Sequence, residues 1–297
     1  MERIAAHAAE IGAGFTIRRA LPTRRRRLVG AWCFLDHLGP AQYAAGQGLH
    51  VGPHPHIGLQ TFTWVIEGEI LHRDSLGYEQ IIRPGQVNLM TAGRGISHAE
   101  DAPGEDAGRI HAAQLWIALP DEVRHCEPAF DHYPELPVTT TGGFRITVLA
   151  GELLGELAPA RIHSPLVGAD LQAAEAAATL LALRADFEYA VLVLAGTVNV
   201  AGAALQSGTL LYLSPGRGQL QLACDAGCRL LLIGGAPFRE EVLLWWNFVA
   251  RDVAEIEAAT ADWNQHHERF GTVRGSPAPL LVAPDVAQLR LRGKPPK

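Results

Sequence analysis

The chain has 297 residues, 48% of them hydrophobic and 19% charged, which is too apolar for disorder and long enough for two modest cores. Its formal charge of −6 offers no attraction to phosphate backbones or anionic lipid, which argues against nucleic acid as a direct ligand. The amino-terminal stretch lacks a continuous apolar core and no run of about 18 uncharged apolar residues follows, so a cytoplasmic protein without membrane contact is expected.

Short segments rich in β-branched and aromatic residues, bounded by glycine or proline, recur along the chain and predict a mainly β protein. Gln60 to Ile66 reads as a strand that turns at Glu67-Gly68-Glu69 into Ile70-Leu71-His72, and further strands are expected over Gln80 to Arg83, Gln86 to Met90 and His111 to Leu119. Pro120 to Gly143 carries four prolines, at 120, 128, 134 and 137, and reads as the linker between domains. Strands are expected again over Glu188 to Leu194, Thr209 to Leu213, Gln219 to Ala223 and Arg229 to Ile233. The apolar run Val242 to Val249 leads into Asp252-Val253-Ala254-Glu255, whose spacing has capping-box character and predicts one helix to about Trp263. From Pro277 the chain is proline-rich and ends in a basic run with Arg290, Arg292, Lys294 and Lys297, and no regular structure is expected there.

The halves align with one another. Val65-Ile66-Glu67-Gly68 matches Val193-Leu194-Ala195-Gly196, and the blocks at Gly85 and Gly93-Arg94-Gly95 match those at Gly208 and Gly216-Arg217-Gly218. Three blocks in one order predict a duplicated β-barrel. The boundaries expected are 1–133 for a metal-binding first barrel, 134–250 for a second barrel without a site, and 251–297 for the helix and tail. Four cysteines, Cys33, Cys126, Cys224 and Cys228, contain no CxxC pair, which argues against structural zinc and a disulfide scaffold; the last two read as core thiols.

Ten of the thirteen histidines lie between His7 and His132, so imidazole chemistry belongs to the first half. In His54-Pro55-His56 the two histidines stand at i and i+2, which in an extended chain project to one face, and Pro55 biases the pair toward that extended state. His98-Ala99-Glu100 repeats the spacing with a carboxylate as its second member. Inside a barrel, four such groups without a partner would be costly, since an unpaired buried polar group costs roughly 2–7 kcal/mol. One divalent cation held by His54, His56, His98 and Glu100 removes that cost, and three nitrogens with one oxygen resemble the histidine-carboxylate sites of non-heme iron, with two positions left open on an octahedral ion. By local offsets His54 and His56 fall on Ala182 and Arg184, and His98 and Glu100 on Gln221 and Ala223, so no site is expected in the second barrel. Gln114 and Trp116 alternate onto one face and are expected beside the metal cavity, with Met90 and Trp64 as its apolar wall. His72 and Asp74 read as surface polarity, with a pair behind the metal ligands as the alternative; His37 reads as a buried hydrogen-bonded group, and Arg24 to Arg27 as a solvated turn, with an anionic partner as the lesser reading.

Several motifs resemble the pirin family, two-barrel members of the cupin superfamily: Phe34 to Pro40, His54 to Gly68, His72-Arg73-Asp74-Ser75, Met90 to Glu100, Gln114-Leu115-Trp116 and the later WWNFVA. The resemblance spans about residues 12 to 275 and implies an all-β fold of two cupin-type barrels (a bicupin) with a short C-terminal helix. It also implies one metal, usually iron, on the positions matched by His54, His56, His98 and Glu100; by its nitrogen and oxygen donors such a site also takes Mn, Co, Ni, Cu or Zn. Gln60 stands where many cupins place a metal-binding glutamate; in pirins the carboxylate comes from the second motif. The function implied is quercetin 2,3-dioxygenase-type cleavage of a flavonol-like enol with O2 by a monomer, Glu100 taking the enol proton. The alternatives are an iron-based redox sensor that a regulatory protein partner reads, as a transcriptional co-regulator, and a cupin acting on an unrelated small acid or sugar. A cavity wide enough for a bicyclic ring at the metal would favour the enzyme.

Overall fold

The computed structural model describes residues 1–12, 14–104 and 106–287; the basic run from Arg290 to Lys297 lies outside them. The chain forms two barrels, each built from a seven-stranded and a four-stranded antiparallel sheet. In the first barrel the large sheet runs, in spatial order, Ala129–Tyr133, Val87–Thr91, Leu59–Glu67, Gly108–Ala118, Trp32–Tyr43, Phe15–Leu21 and His7–Ile11. The small sheet runs His50–His56, Ile96–Asp101, Ile70–Asp74 and Glu79–Ile82.

The second barrel repeats the plan. Its large sheet is ordered Glu2–Ala5, Thr209–Leu213, Glu188–Ala195, Cys228–Gly235, Leu166–Ala173, Phe144–Ala150 and Val138–Thr141, and its small sheet Ala177–Ala182, Gln219–Cys224, Thr197–Val200 and Ala203–Gln206. Strand by strand the chain order of the two barrels corresponds except at one edge. There the second barrel takes the amino-terminal strand Glu2–Ala5, paired with Thr209–Leu213, while the first takes Ala129–Tyr133 from the proline-rich connection, paired with Val87–Thr91. The connection therefore contributes a strand to each barrel, Val138–Thr141 being the other.

Period-two alternation divides the core. Along Leu59–Glu67, Phe62 and Trp64 pack in the cluster between the barrels with Trp32, Leu192 and Leu231, whereas Leu59 and Val65 pack in clusters of the first barrel's interior. Polar groups cross the inter-barrel layer in satisfied pairs. Trp64 Nε1 donates to Asp170 Oδ2 at 3.1 Å, Arg229 Nε donates to the same carboxylate at 2.9 Å, and Glu188 accepts from Gly30 N and from the Tyr212 hydroxyl at 2.6 Å each. Gly30 sits at φ +55, and a Cβ there would stand 2.8 Å from Gly235 Cα, so the barrels approach too closely for any side chain.

The interior of the second barrel is apolar throughout, with Phe144, Leu171, Leu181, Val191, Leu220 and Leu222 in one cluster. This corrects the equivalences expected from local offsets. Ala182 and Gln221 are exposed, and the inward residues on those strands are Leu181, Leu220 and Leu222. Leucines thus stand at inward positions of the two strands that correspond to the histidine-bearing pair.

The apolar run near residue 245 forms a hairpin, Leu243–Trp245 with Phe248–Ala250, followed by a helix over Val253–Asn264. Asp252 caps the helix by accepting from Glu255 N, and Glu255 in turn accepts from Arg251 N. Phe248, Ile256, Trp263 and Phe270 bury this unit against Ile57 at the end of the strand His50–His56. The proline-rich stretch after Pro277 is an ordered arm as far as it is described: Leu281 N donates to Pro53 O, and Trp263 Nε1 donates to Leu281 O. All four cysteines are free. Among the described residues no helix is long and apolar enough to cross a membrane.

Candidate metal centre

The strand His50–His56 lies antiparallel to Ile96–Asp101 with His54 opposite His98, and a register shift follows between His98 and Glu100. Ile70–Asp74 flanks the other side, placing Asp74 opposite His98 and His72 opposite Glu100. The small sheet thereby concentrates imidazoles on one inner surface. His54, His56 and His98 are 6%, 1% and 1% exposed, and their ligand nitrogens all lie within 4.8 Å of one another. A second triad, sharing His98, consists of His72, His98 and Glu100. Among the described residues these are the two places where three or more potential ligands converge. The structure thus brings the three histidines together directly and joins Glu100 to them through His98.

The hydrogen bonds fix the tautomers. His54 Nδ1 lies 2.8 Å from Gly52 O and His56 Nδ1 lies 2.9 Å from Asn247 O; both partners only accept, so each Nδ1 carries the proton. His72 Nε2 donates to Asp74 Oδ2 at 3.2 Å, while Asp74 Oδ1 accepts from Leu76 N and Tyr78 N. His72 Nδ1 is therefore bare and accepts from His98 Nδ1, 3.3 Å away. This leaves Nε2 unprotonated on His54, His56 and His98. Burial keeps all three rings neutral, lowering His54 to about 4 and the other two well below the ordinary imidazole value. Yet His56 Nε2 and His98 Nε2 stand 3.1 Å apart. Two lone pairs facing each other at that distance repel, and a cation between them converts the repulsion into coordination. The residues present fit a divalent metal on this ground.

Glu100 completes the wall. Desolvation raises its carboxyl to about 7, a hydrogen bond with the Thr63 hydroxyl lowers it, and Asp101 raises it. The same hydroxyl oxygen lies 2.9 Å from Gln114 Oε1. A cavity of about 1540 Å³ opens from this surface; His54, His56, His98, Glu100, Gln114 and Trp116 line its inner end. Trp116 meets the His56 ring edge-on, with centroids 5.1 Å apart.

Trp64 requires a correction, because it belongs to the alternate face of its strand and points into the inter-barrel layer. Met90 is buried behind Trp116 in the cluster with Phe34 and Leu59 and does not line the cavity. Gln60 shares the Trp64 face and donates to Thr91 Oγ1 and Arg161 O. His72 and Asp74, expected at the surface, are buried and orient His98. His37 is buried, with Nε2 2.8 Å from His111 Nε2, a partner that sequence reasoning did not single out. The Asn247 carbonyl behind His56 was equally unforeseen; backbone acceptors leave no mark in side-chain patterns.

Two barrels of matching topology, one with an apolar interior and the other carrying an imidazole-lined pocket, define a bicupin. The chain belongs to the pirin family: the family model described as Pirin matches residues 14–117, and that described as Pirin C-terminal cupin domain matches residues 168–271. It is similar to a Pseudomonas aeruginosa protein named "Putative quercetin 2,3-dioxygenase PA1205", 54% identical over 96% of this chain and 90% of the relative. A pirin-like protein of Caulobacter vibrioides is 39% identical over 84% and 88% of the two chains. Among solved structures, a quercetin 2,3-dioxygenase from Acinetobacter baumannii superposes with a TM-score of 0.93 at 50% identity, covering 96% of this chain and 95% of that one.

Proposed function

We propose that this protein is a metal-dependent dioxygenase of the quercetinase type, with His54, His56, His98 and Glu100 holding one divalent ion. The observation that carries the reading is the pair of unprotonated Nε2 atoms of His56 and His98 at 3.1 Å on the floor of a large open cavity. Space of about 1540 Å³ accommodates a flavonol-sized molecule, which favours an enzyme over a sensor that admits only water. The relatives named for quercetin 2,3-dioxygenase activity support the same substrate class.

A bound ion supplies Lewis-acid polarisation of adjacent hydroxyl and carbonyl oxygens and a redox contact for dioxygen. The protein's part is orientation and proton handling. Gly52 O, Asn247 O and His72 hold the three imidazoles with their Nε2 lone pairs inward. A carboxylate bound to a cation is a weak base, so Glu100 takes the enol proton as the ligand that loosens from the ion. Trp116 offers a flat apolar wall beside His56 for the substrate's rings.

The test is oxygen consumption by the iron-loaded protein with quercetin. Uptake that disappears in His98→Ala supports the proposal; absence of uptake in the loaded wild type, or unchanged uptake in His98→Ala, contradicts it.

A further inference from the structure

The cavity does not end in an apolar wall. Trp116 stacks on Phe34 with centroids 4.0 Å apart and planes at 13°, and the Arg19 guanidinium lies over the other ring of the series, 4.5 Å from the Phe34 centroid. A continuous aromatic surface therefore runs from the His56 ring to Arg19, all of it lining one cavity. Arg19 is locked in place: Nε and Nη2 donate to the two oxygens of Asp36 at 2.8 and 2.7 Å. Asp36 is only 1% exposed, on the strand Trp32–Tyr43. Arg19 Nη1 has no acceptor in the protein among the described residues, and the side chain is 27% exposed.

Burying a carboxylate under a guanidinium gives little net stability, because desolvation offsets the attraction. What it does give is a planar fork held rigidly at a chosen place, suited to a carboxylate or sulfonate. The rest of the rim agrees. Arg24 and Arg27, exposed in the four-arginine run, line the same cavity and have no carboxylate partner among the described residues, whereas Arg26 in the same run is paired with Glu2 and covers the Tyr212 ring. With Asp36 engaged by Arg19 and Glu100 at the metal end, Glu10 is the remaining carboxylate on the lining, so the rim keeps an excess of positive charge.

We infer that the substrate is a planar, oxygen-chelating aromatic that carries an anionic group at the end remote from the metal, read by Arg19 with help from Arg24 and Arg27. The inference rests on the dioxygenase reading for the chelating end alone; recognition of the anion is a property of this chain's own side chains.

Binding is measured without turnover, by quenching of tryptophan fluorescence in the zinc-loaded full-length protein, using quercetin and quercetin 5′-sulfonate as probes. The wild type is expected to bind the sulfonate about ten-fold more tightly than quercetin at low salt, the scale of one charge-assisted bidentate contact. Arg19→Gln/Asp36→Asn, which leaves no buried charge unpaired, is expected to abolish that preference while keeping quercetin affinity. Arg24→Gln/Arg27→Gln alters exposed side chains only and is expected to reduce the preference several-fold and flatten its salt dependence; it serves if the buried double variant does not fold. Equal affinity of the wild type for both probes, or loss of both probes together in the rim variant, overturns the inference. A sulfonate preference that depends on these arginines in a protein consuming no oxygen with either probe would uphold the anion end and remove the dioxygenase reading.

Discussion

His98 and His72 face each other Nδ1 to Nδ1 at 3.3 Å, and the proton between them belongs to His98 because His72 spends its own on Asp74. Asp74 thereby fixes, through one intervening ring, which nitrogen His98 offers to a metal. Asp74→Asn keeps an oxygen for the Leu76 and Tyr78 amides but weakens the anchor on His72. Metal affinity, measured by competition with a chromophoric chelator, is expected to fall about 10- to 100-fold with the melting temperature of the metal-free protein little changed. Unaltered affinity would mean that the His72 relay does not orient the site.

The hairpin Leu243–Ala250 supports the candidate metal centre from outside the barrel, since Asn247 O fixes the His56 tautomer. Phe248, fully buried, seats that hairpin against Phe270, with ring centroids 6.1 Å apart. Phe248→Ala is expected to cost about 3–5 kcal/mol in urea unfolding and to lower metal occupancy as well. A stability loss with occupancy untouched would separate the hairpin from the site.

Between the barrels, Asp170 is buried and carries two donors, Arg229 and Trp64. Trp64→Phe removes one of them and leaves the ion pair, for an expected loss of about 1–3 kcal/mol. Arg229→Met leaves a buried carboxylate without its cation, for an expected loss of about 3–5 kcal/mol. Denaturant midpoints order the two; a larger effect from Trp64→Phe would show that packing, and not charge, governs this interface.

His37 and His111 supply a pH dependence. Burial lowers His37 to about 3, with His111 and Arg18 adding to the effect, and lowers His111 to about 4, with Arg229 adding. Both values lie below the ordinary 6.5, so the unfolded chain binds these protons more readily than the folded one. The stability they confer is intact above pH 6.5 and is lost as pH falls from there toward 4 and then 3. In the double variant His37→Gln/His111→Gln, the urea midpoint is expected to fall less steeply between pH 6.5 and 4.5 than in the wild type. Parallel curves would assign the acid sensitivity to other groups.

Much of this architecture was written in the sequence. Glycine and proline punctuation located the strands, the internal repeat gave the second barrel, and His54-Pro55-His56 with His98-Ala99-Glu100 marked the residues that the fold brings to one surface. What alternation does not reveal is which face of a strand turns inward. Trp64 and Gln60 share a face with Phe62, and that face meets the second barrel instead of the cavity. The same ambiguity placed the second-barrel equivalents of the histidines on the outward positions Ala182 and Gln221. Burial of His72 and Asp74 depends on the neighbouring strand Ile96–Asp101 and on Phe130, whose ring stacks on His72 at 4.4 Å; neither contact is local in sequence. The exchange of edge strands, which gives Glu2–Ala5 to the second barrel, depends on chain connectivity and leaves no periodic signal.

X-ray absorption at the metal edge of the iron-loaded protein addresses the proposed coordination most directly. Wild type is expected to show nitrogen and oxygen scatterers only, with multiple scattering from three imidazoles, and His98→Ala to show two. A spectrum of an ion surrounded by water alone, or an imidazole count that does not change in His98→Ala, would contradict a metal gripped by His54, His56 and His98.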